Sequence, residues 1–379
     1  MTTSPFDSFR PPETGRRRKR ASGVRGAVGG AARDVAKGAR RSWLNREGGG
    51  QREAPAVPDA EFSSYYGQNI VKPVPWDHKI STYLFAGGIA GASGIIQAGA
   101  AATGNEVLRR NSRLAAMATV GISGVALVAD LGRPERFLNM LRTVKLTSPM
   151  SVGTWILSGY SACAGATTAV EVLALLPARG PLRALSRVVA PLTVPATIGQ
   201  ALLGAPLAAY TSVLLSDTAH PVWHESRQQL PFVFVGSAAL ASGGVQMVLS
   251  PTEHAGPARR LALLGVGTEL IAMHQLEEHL ARLRIDEPIT SGKGAGKLTA
   301  AKALTIAGGA GTLLAGRSRA AAVASGVALA AASALTRAGI VEAGIESATD
   351  PKYTVRLQKD RVEKRHSEGV VHDSIVTVR

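Results

Sequence analysis

The chain has 379 residues, a formal net charge of +16 and a hydrophobic content of 45%, with a mean hydropathy of only +0.10. That average conceals two different segments: residues 1–79 hold 15 Lys/Arg against 8 Asp/Glu and no apolar run, whereas residues 80–345 are dominated by Ala, Leu, Val and Gly. The surplus of positive charge falls in the tail and between apolar blocks, where it meets lipid headgroups and fixes topology, so no nucleic-acid partner is expected. A single cysteine, Cys163, excludes an intrachain disulfide and a Cys-ligated metal cluster.

Residues 1–60 read as a basic, disordered tail. Arg16 to Arg20 resembles the charged start of a signal peptide, but Arg25, Arg33, Asp34, Lys37 and Arg40 interrupt the stretch where its apolar core would lie. Neither a secretory nor a twin-arginine signal is expected, and the first membrane helix is expected to direct insertion.

From there the chain repeats apolar blocks of about 19–28 residues, and about 20 suffice to span a hydrocarbon core. Helices are predicted over 80–102, 114–132, 150–176, 188–215, 230–250, 260–280, 298–316 and 319–345. The fold class is therefore an all-α integral membrane protein, a bundle of about eight transmembrane helices with a disordered basic N-terminal tail. The membrane domain is expected over residues 61–350, followed by a charged C-terminal tail, 351–379. The sixth block is the least apolar, broken by Glu269, His274, Glu277 and Glu278. Pro195 and Pro206 should kink the fourth. Gly87, Gly88, Gly91 and Gly94 in the first helix, and Gly308, Gly309 and Gly311 in the seventh, form ridges of small residues that let helices approach closely in lipid.

An even number of spans puts both termini on one side, face A. More Lys and Arg flank the spans there than on the opposite face B, which predicts cytoplasmic termini. The same alternation places Tyr83, Asp130, Arg133, Tyr210, Asp217, His220, Trp223, His224, Glu277, Glu278, His279, Glu342 and Glu346 on face A. One membrane face is thus richer in acids, histidines and aromatics.

Several of these residues carry two readings. Asp130 with Arg133 is either an i,i+3 pair holding a helix end or part of a proton- or ligand-handling site. Glu269 and His274 are either paired with a neighbouring helix or line a wet cavity. Tyr83 and Trp155 suit the membrane interface as aromatics. Transmembrane haem b needs histidines on facing helices, and His274 is the only one expected to be embedded. His220 and His224 sit i,i+4 in a Pro-containing loop without a matching ligand set.

Four segments together resemble the NrfD/PsrC family, the membrane subunits of polysulfide-reductase-type and related molybdopterin oxidoreductases. Trp76 to Phe85 with Gly87 to Gly91 looks like its first helix. Ala129-Asp130-Leu131-Gly132-Arg133-Pro134-Glu135-Arg136-Phe137, then Ser148 to Ser151 and Gly153-Thr154-Trp155, is the most specific part. Tyr210 to Ser216 with Pro221-Val222-Trp223 is similar to the helix 4–5 region, and Gly344 to Pro351 to the closing motif. The resemblance spans about residues 62–352, in order, and excludes the basic tail.

The resemblance implies a cell-membrane anchor that reacts with menaquinone or ubiquinone as an exchangeable substrate, with no cofactor held covalently or by its own ligands. It would dock a ferredoxin-like 4Fe-4S subunit that serves a molybdopterin catalytic subunit, for example of the formate dehydrogenase or polysulfide/thiosulfate reductase type. The quinone-binding candidates it implies are Tyr83, His78, Asp130 and Arg133, with Asp130 relaying protons under the influence of Arg133. Asp130, Glu269, His274 and Glu342 are the proton-path candidates. Arg133, Glu135, Arg136, His220, Trp223 and His224 are the partner-docking candidates. A purely structural anchor, and a transporter or proton-conducting protein, are the alternatives; no inverted repeat relates 80–215 to 230–345.

Overall fold

A computed structural model describes residues 69–175 and 186–369. The tail expected over residues 1–60, the Pro177–Pro181 connection and the last ten residues lie outside the described residues. Among the described residues every regular element is helical.

The helices begin where short polar side chains can cap them. Asp77 accepts a hydrogen bond from the Lys79 amide (2.8 Å) at the start of α1 (His78–Ala102). Asn105 does the same for the Leu108 amide (3.2 Å) at the start of α2 (Glu106–Asp130). Side-chain oxygens at these positions satisfy amides that have no partner within the helix. Because Asn105 caps, α2 starts at 106 rather than the predicted 114, and Arg109, Arg110 and Arg113 fall inside its first two turns. A short α3 (Arg136–Met140) leads to α4 (Pro149–Leu175). A 3₁₀ turn, Ala190–Leu192, precedes α5 (Thr193–Ser216), within which Pro206 lies. A one-turn helix α6 (Pro221–Glu225) connects to α7 (Leu230–Leu249). Next come α8 (Gly256–Arg282), the short α9 (Glu287–Thr290), α10 (Ala295–Leu314) and α11 (Arg319–Thr349). The C-terminal segment expected as a charged tail forms α12 (Pro351–Ser367), started by Asp350, which accepts from the Lys352 amide, and by Pro351 at the first helical position.

α1 is the hub. It packs against α2 and α5 on one side and α7 and α11 on the other. α4 completes a first group by lying against α5 and α2, while α8 and α10 complete a second around α7 and α11. Small residues set these distances. A Cβ on Gly91 would fall on the Gly204 carbonyl, and one on Gly244 would meet the Gly326 carbonyl at 2.7 Å. Buried hydroxyl pairs bridge α1 to α7, Ser93 with Ser242 (2.8 Å), and α7 to α11, Ser237 with Ser333 (2.8 Å). In lipid, packing and such interhelical hydrogen bonds replace the hydrophobic drive for association.

Six helices among the described residues are long and apolar enough to cross a membrane: α1, α2, α4, the helix running through α5 from Ser186, α7 and α11. α8 and α10, with 27 and 20 residues, have spanning length. Their charged residues, among them Arg259, Arg260, Glu269, Lys297 and Lys302, keep them below that apolar level. Among the described residues the chain is a multi-pass, all-helical membrane protein with six clear spans, and α8 and α10 are two further helices of spanning length.

Both ends of the described chain meet at α6. The Val74 amide donates to His220 Nε2 (3.4 Å), and Arg361 of α12 pairs with Glu225 (2.7 Å).

Candidate functional site

The start of α1 and the end of α2 lie side by side, and α4 and α5 bring their ends to the same level. A cavity of about 150 Å³ forms there. α1 and the residues before it contribute Trp76, Ile80, Tyr83 and Leu84; α2 contributes Leu127 and Asp130; α3 contributes Met140; α4 contributes Met150 and Thr154; and α5 contributes Tyr210, Thr211 and Leu214. Tyr83, Tyr210, Thr154 and Thr211 are buried. The cavity is thus an apolar slot with two phenols, two hydroxyls and one carboxylate on its walls. Such a site suits a flat, weakly polar molecule held by a few hydrogen bonds.

Local packing fixes the polar groups. Ser123 of α2 donates to the Tyr83 carbonyl (3.0 Å), tying the two helices together one turn from the cavity. Gly153 of α4 leaves room for the Tyr210 ring, which a Cβ at 153 would strike. Thr154 donates back to the Met150 carbonyl (2.9 Å).

Asp130 is half-buried and forms no ion pair among the described residues. Its charged neighbours are Asp77 and Lys79, which pair with each other at 3.1 Å. The pair expected with Arg133 is not formed. α2 stops at Asp130, and Gly132 turns the chain into the left-handed region (φ +69°). That sends Arg133 off the helical path which would have placed it one turn above Asp130. Arg133 is exposed and lines no part of the cavity.

The other sequence candidates scatter. His78 is exposed at the first turn of α1 and does not line the cavity. Glu135, Arg136 and His224 are exposed, but His220 and Trp223 are not: their exposures are 2% and 0%. Their rings stack at 4.6 Å, Trp76 lies 5.6 Å from the Trp223 ring, and the Trp223 indole N–H donates to the Ile340 carbonyl (2.8 Å). Trp223 holds α6 onto α11 and His220 ties Val74 to the Trp223 ring, so neither offers a surface to a partner in this structure. Burial also holds the His220 imidazole below the ordinary histidine range.

His274, expected to be embedded, sits on the outer side of α8 and pairs with Glu278 (3.3 Å, i,i+4). Its position in the apolar block is real, but the helix turns it away from the bundle. Glu342 pairs with Lys297. Glu277 pairs with Lys302 (3.1 Å), and Glu346 accepts from the Lys293 amide (2.7 Å). The acids expected to crowd face A are therefore largely matched by basic residues and amides beside them.

Glu269 is buried between α8 and α11. Thr336 donates to one of its oxygens (2.7 Å), and the other has no partner among the described residues. Arg337, fully buried, donates to the Phe234 carbonyl (2.7 Å) and lies 3.9 Å from the Phe234 ring centroid, while its Nε and Nη1 are unpartnered. Arg337 did not figure among the sequence candidates, although an arginine within an Ala-rich apolar block is itself a signal. Tyr210 and Thr154 were also missed as cavity residues; only the meeting of α4 and α5 with α1 reveals them.

A comparison with curated proteins returned no match. Residues 68–256 match the family model described as polysulphide reductase, NrfD. The matched stretch runs from the start of α1 into α8 and includes every wall of the cavity, whereas the Gly344 to Pro351 segment lies beyond it. On that match, the chain belongs to the NrfD polysulphide reductase family.

Proposed function

We propose that this chain is the quinone-interacting membrane subunit of a multisubunit oxidoreductase, with the cavity between α1, α2, α4 and α5 as the headgroup site. The observation that carries the reading is that Tyr83 and Asp130, far apart in sequence, share one apolar cavity at a helix-end level. Quinone reduction takes up two electrons and two protons, and quinol oxidation releases them, so the site needs a hydrogen-bond donor and a proton carrier. The Tyr83 hydroxyl donates to a carbonyl oxygen of a bound menaquinone or ubiquinone. The Asp130 carboxylate accepts a proton from a quinol hydroxyl or, when protonated, returns it. Lys79 supplies the positive charge near Asp130 that Arg133 does not.

Electrons pass to or from a docked ferredoxin-like 4Fe-4S subunit serving a molybdopterin catalytic subunit. The exposed Arg133, Glu135 and Arg136 support docking here, since they sit on the α2–α3 segment that closes the cavity through Leu131 and Met140. The subunit resides in the cell membrane with both termini cytoplasmic. A reporter fused after Arg379 tests this, and activity outside the cell would overturn it.

Tyr83→Phe and Asp130→Asn, in membranes holding the intact complex, test the site. Loss of a proton-transferring group lowers quinone-linked turnover by about 10²-fold or more. Unchanged turnover with an assembled complex would make the chain a structural anchor without quinone chemistry.

One observation favours a second reading, proton conduction through the other helix group. Buried Glu269 and Arg337 keep three polar atoms without partners among the described residues, and intramembrane ionisable groups are costly unless hydrated or functional. Loss of proton uptake by Glu269→Gln vesicles, with electron transfer retained, would support it; unchanged uptake would remove it.

A further inference from the structure

The geometry points to a binding site for an anionic phospholipid at the end of the bundle opposite the quinone cavity. A groove of about 530 Å³ opens between the end of α1, the start of α2 and the start of α5. Its outer wall is apolar and turned outward: Val194, Ile198 and Leu202 are 67%, 54% and 71% exposed. Such a wall at a membrane-spanning helix suits an acyl chain.

The inner end of the groove carries Arg109 and Arg113. Both guanidinium groups donate to the same oxygen of Glu171, at 3.2 and 2.8 Å. Arg113 is engaged at each nitrogen, Nε donating to Gln97 (3.0 Å) and Nη2 to Thr197 (2.9 Å) besides the bond from Nη1 to Glu171. Arg109 is not. Its other acidic neighbour is Glu106 at 3.9 Å, with a side chain 79% exposed, and an exposed pair of that length contributes little.

Two guanidiniums therefore share one buried carboxylate, leaving about one positive charge uncompensated beside an apolar groove. The N-terminus of α2 adds positive potential at the same level. A phosphodiester oxygen pair fits the free fork of Arg109, and the attached acyl chain fits the outward wall. A free phosphate would leave that wall unused, and a zwitterionic lipid would bring its own cation to the arginines.

The test uses the full chain, purified and delipidated in detergent. It is titrated with phosphatidylglycerol or phosphatidylcholine of identical acyl chains, and binding is read by native mass spectrometry. Phosphatidylglycerol is expected to bind in preference. Arg109→Gln should weaken it by about five-fold, the effect of one basic residue at a lipid surface, while Arg110→Gln, at the exposed neighbouring position, leaves it unchanged. Ile198→Trp fills the groove without touching a charge and should also lower phosphatidylglycerol binding. Equal binding of the two lipids, equal effects of the two arginine variants, or indifference to Ile198→Trp would each overturn the proposal. So would displacement of phosphatidylglycerol by a short-chain quinone, which would make the groove a quinone site.

Discussion

The indole of Trp223 occupies the space that any side chain at position 344 would need. A Cβ on Gly344 would lie within the ring itself. Two segments distant in sequence, Pro221-Val222-Trp223 and Gly344 to Pro351, thus meet as one joint between α6 and α11, reinforced by the Val222 amide donating to the Ser347 hydroxyl (3.2 Å). Gly344→Ala is expected to destabilise the protein by about 1–3 kcal/mol, the cost of overpacking a filled core. Thermal unfolding in detergent checks it, and an unchanged midpoint would show that Trp223 has another place to go.

Gly91 and Gly204 make a comparable contact between α1 and α5, the two helices that supply both tyrosines of the cavity. Gly91→Ala should force these helices apart, lowering thermal stability and weakening quinone binding together. Gly99→Ala, on the same helix with open space around it, is the matched control. Equal behaviour of the two variants would refute the role assigned to the close approach.

The His220 imidazole is buried, its Nε2 accepts from Val74, and its Nδ1 lacks a partner among the described residues. Burial puts its folded value below the ordinary 6.5, so the unfolded chain takes up the proton first. Its contribution to stability is complete above 6.5 and is lost as pH falls from there through the folded value. His220→Phe keeps the stack on Trp223 but removes the titration. The fall in unfolding temperature between about pH 7 and about pH 5 should be shallower in this variant than in the parent; equal slopes would sink the assignment.

Glu269 and Arg337 should respond unequally to substitution. Arg337→Met removes the hydrogen bond to the Phe234 carbonyl and the buried cation whose field reaches Glu269, and loss of a hydrogen bond from a charged group costs about 1.5–3 kcal/mol. Glu269→Gln keeps an acceptor for the Thr336 hydroxyl and should cost less. Unfolding midpoints of the two purified variants provide the comparison, and the reverse order would show that Arg337 is held by Phe234 alone.

Much of the fold was legible in the sequence because length and apolarity mark a spanning helix without reference to its neighbours. The starts of α7 and α11 and the ends of α1 and α4 agree with the apolar blocks to within a residue or so. The start predicted at 114 leaves Arg109, Arg110 and Arg113 outside α2, whereas Asn105 begins a helix that includes all three. The charged α8 and α10 illustrate the complementary limit: their periodicity shows a helix, but their composition does not by itself establish a span.

Of the site, the sequence determined that Tyr83 and Asp130 stand near helix ends on one membrane face, since alternation along an even number of helices requires it. Only the tertiary structure decided that they share a cavity with Tyr210 and Thr154, because that depends on which helices α1 touches. It also decided which charges are free. A single glycine turn detaches Arg133 from Asp130, the rotation of α8 turns His274 outward, and burial of Trp223 against α11 and of His220 beneath Val74 removes both from the surface. Helix-end level is a one-dimensional property that a sequence encodes directly. Facing direction and pairing arise from the packing of helices distant in the chain, and no single segment carries them.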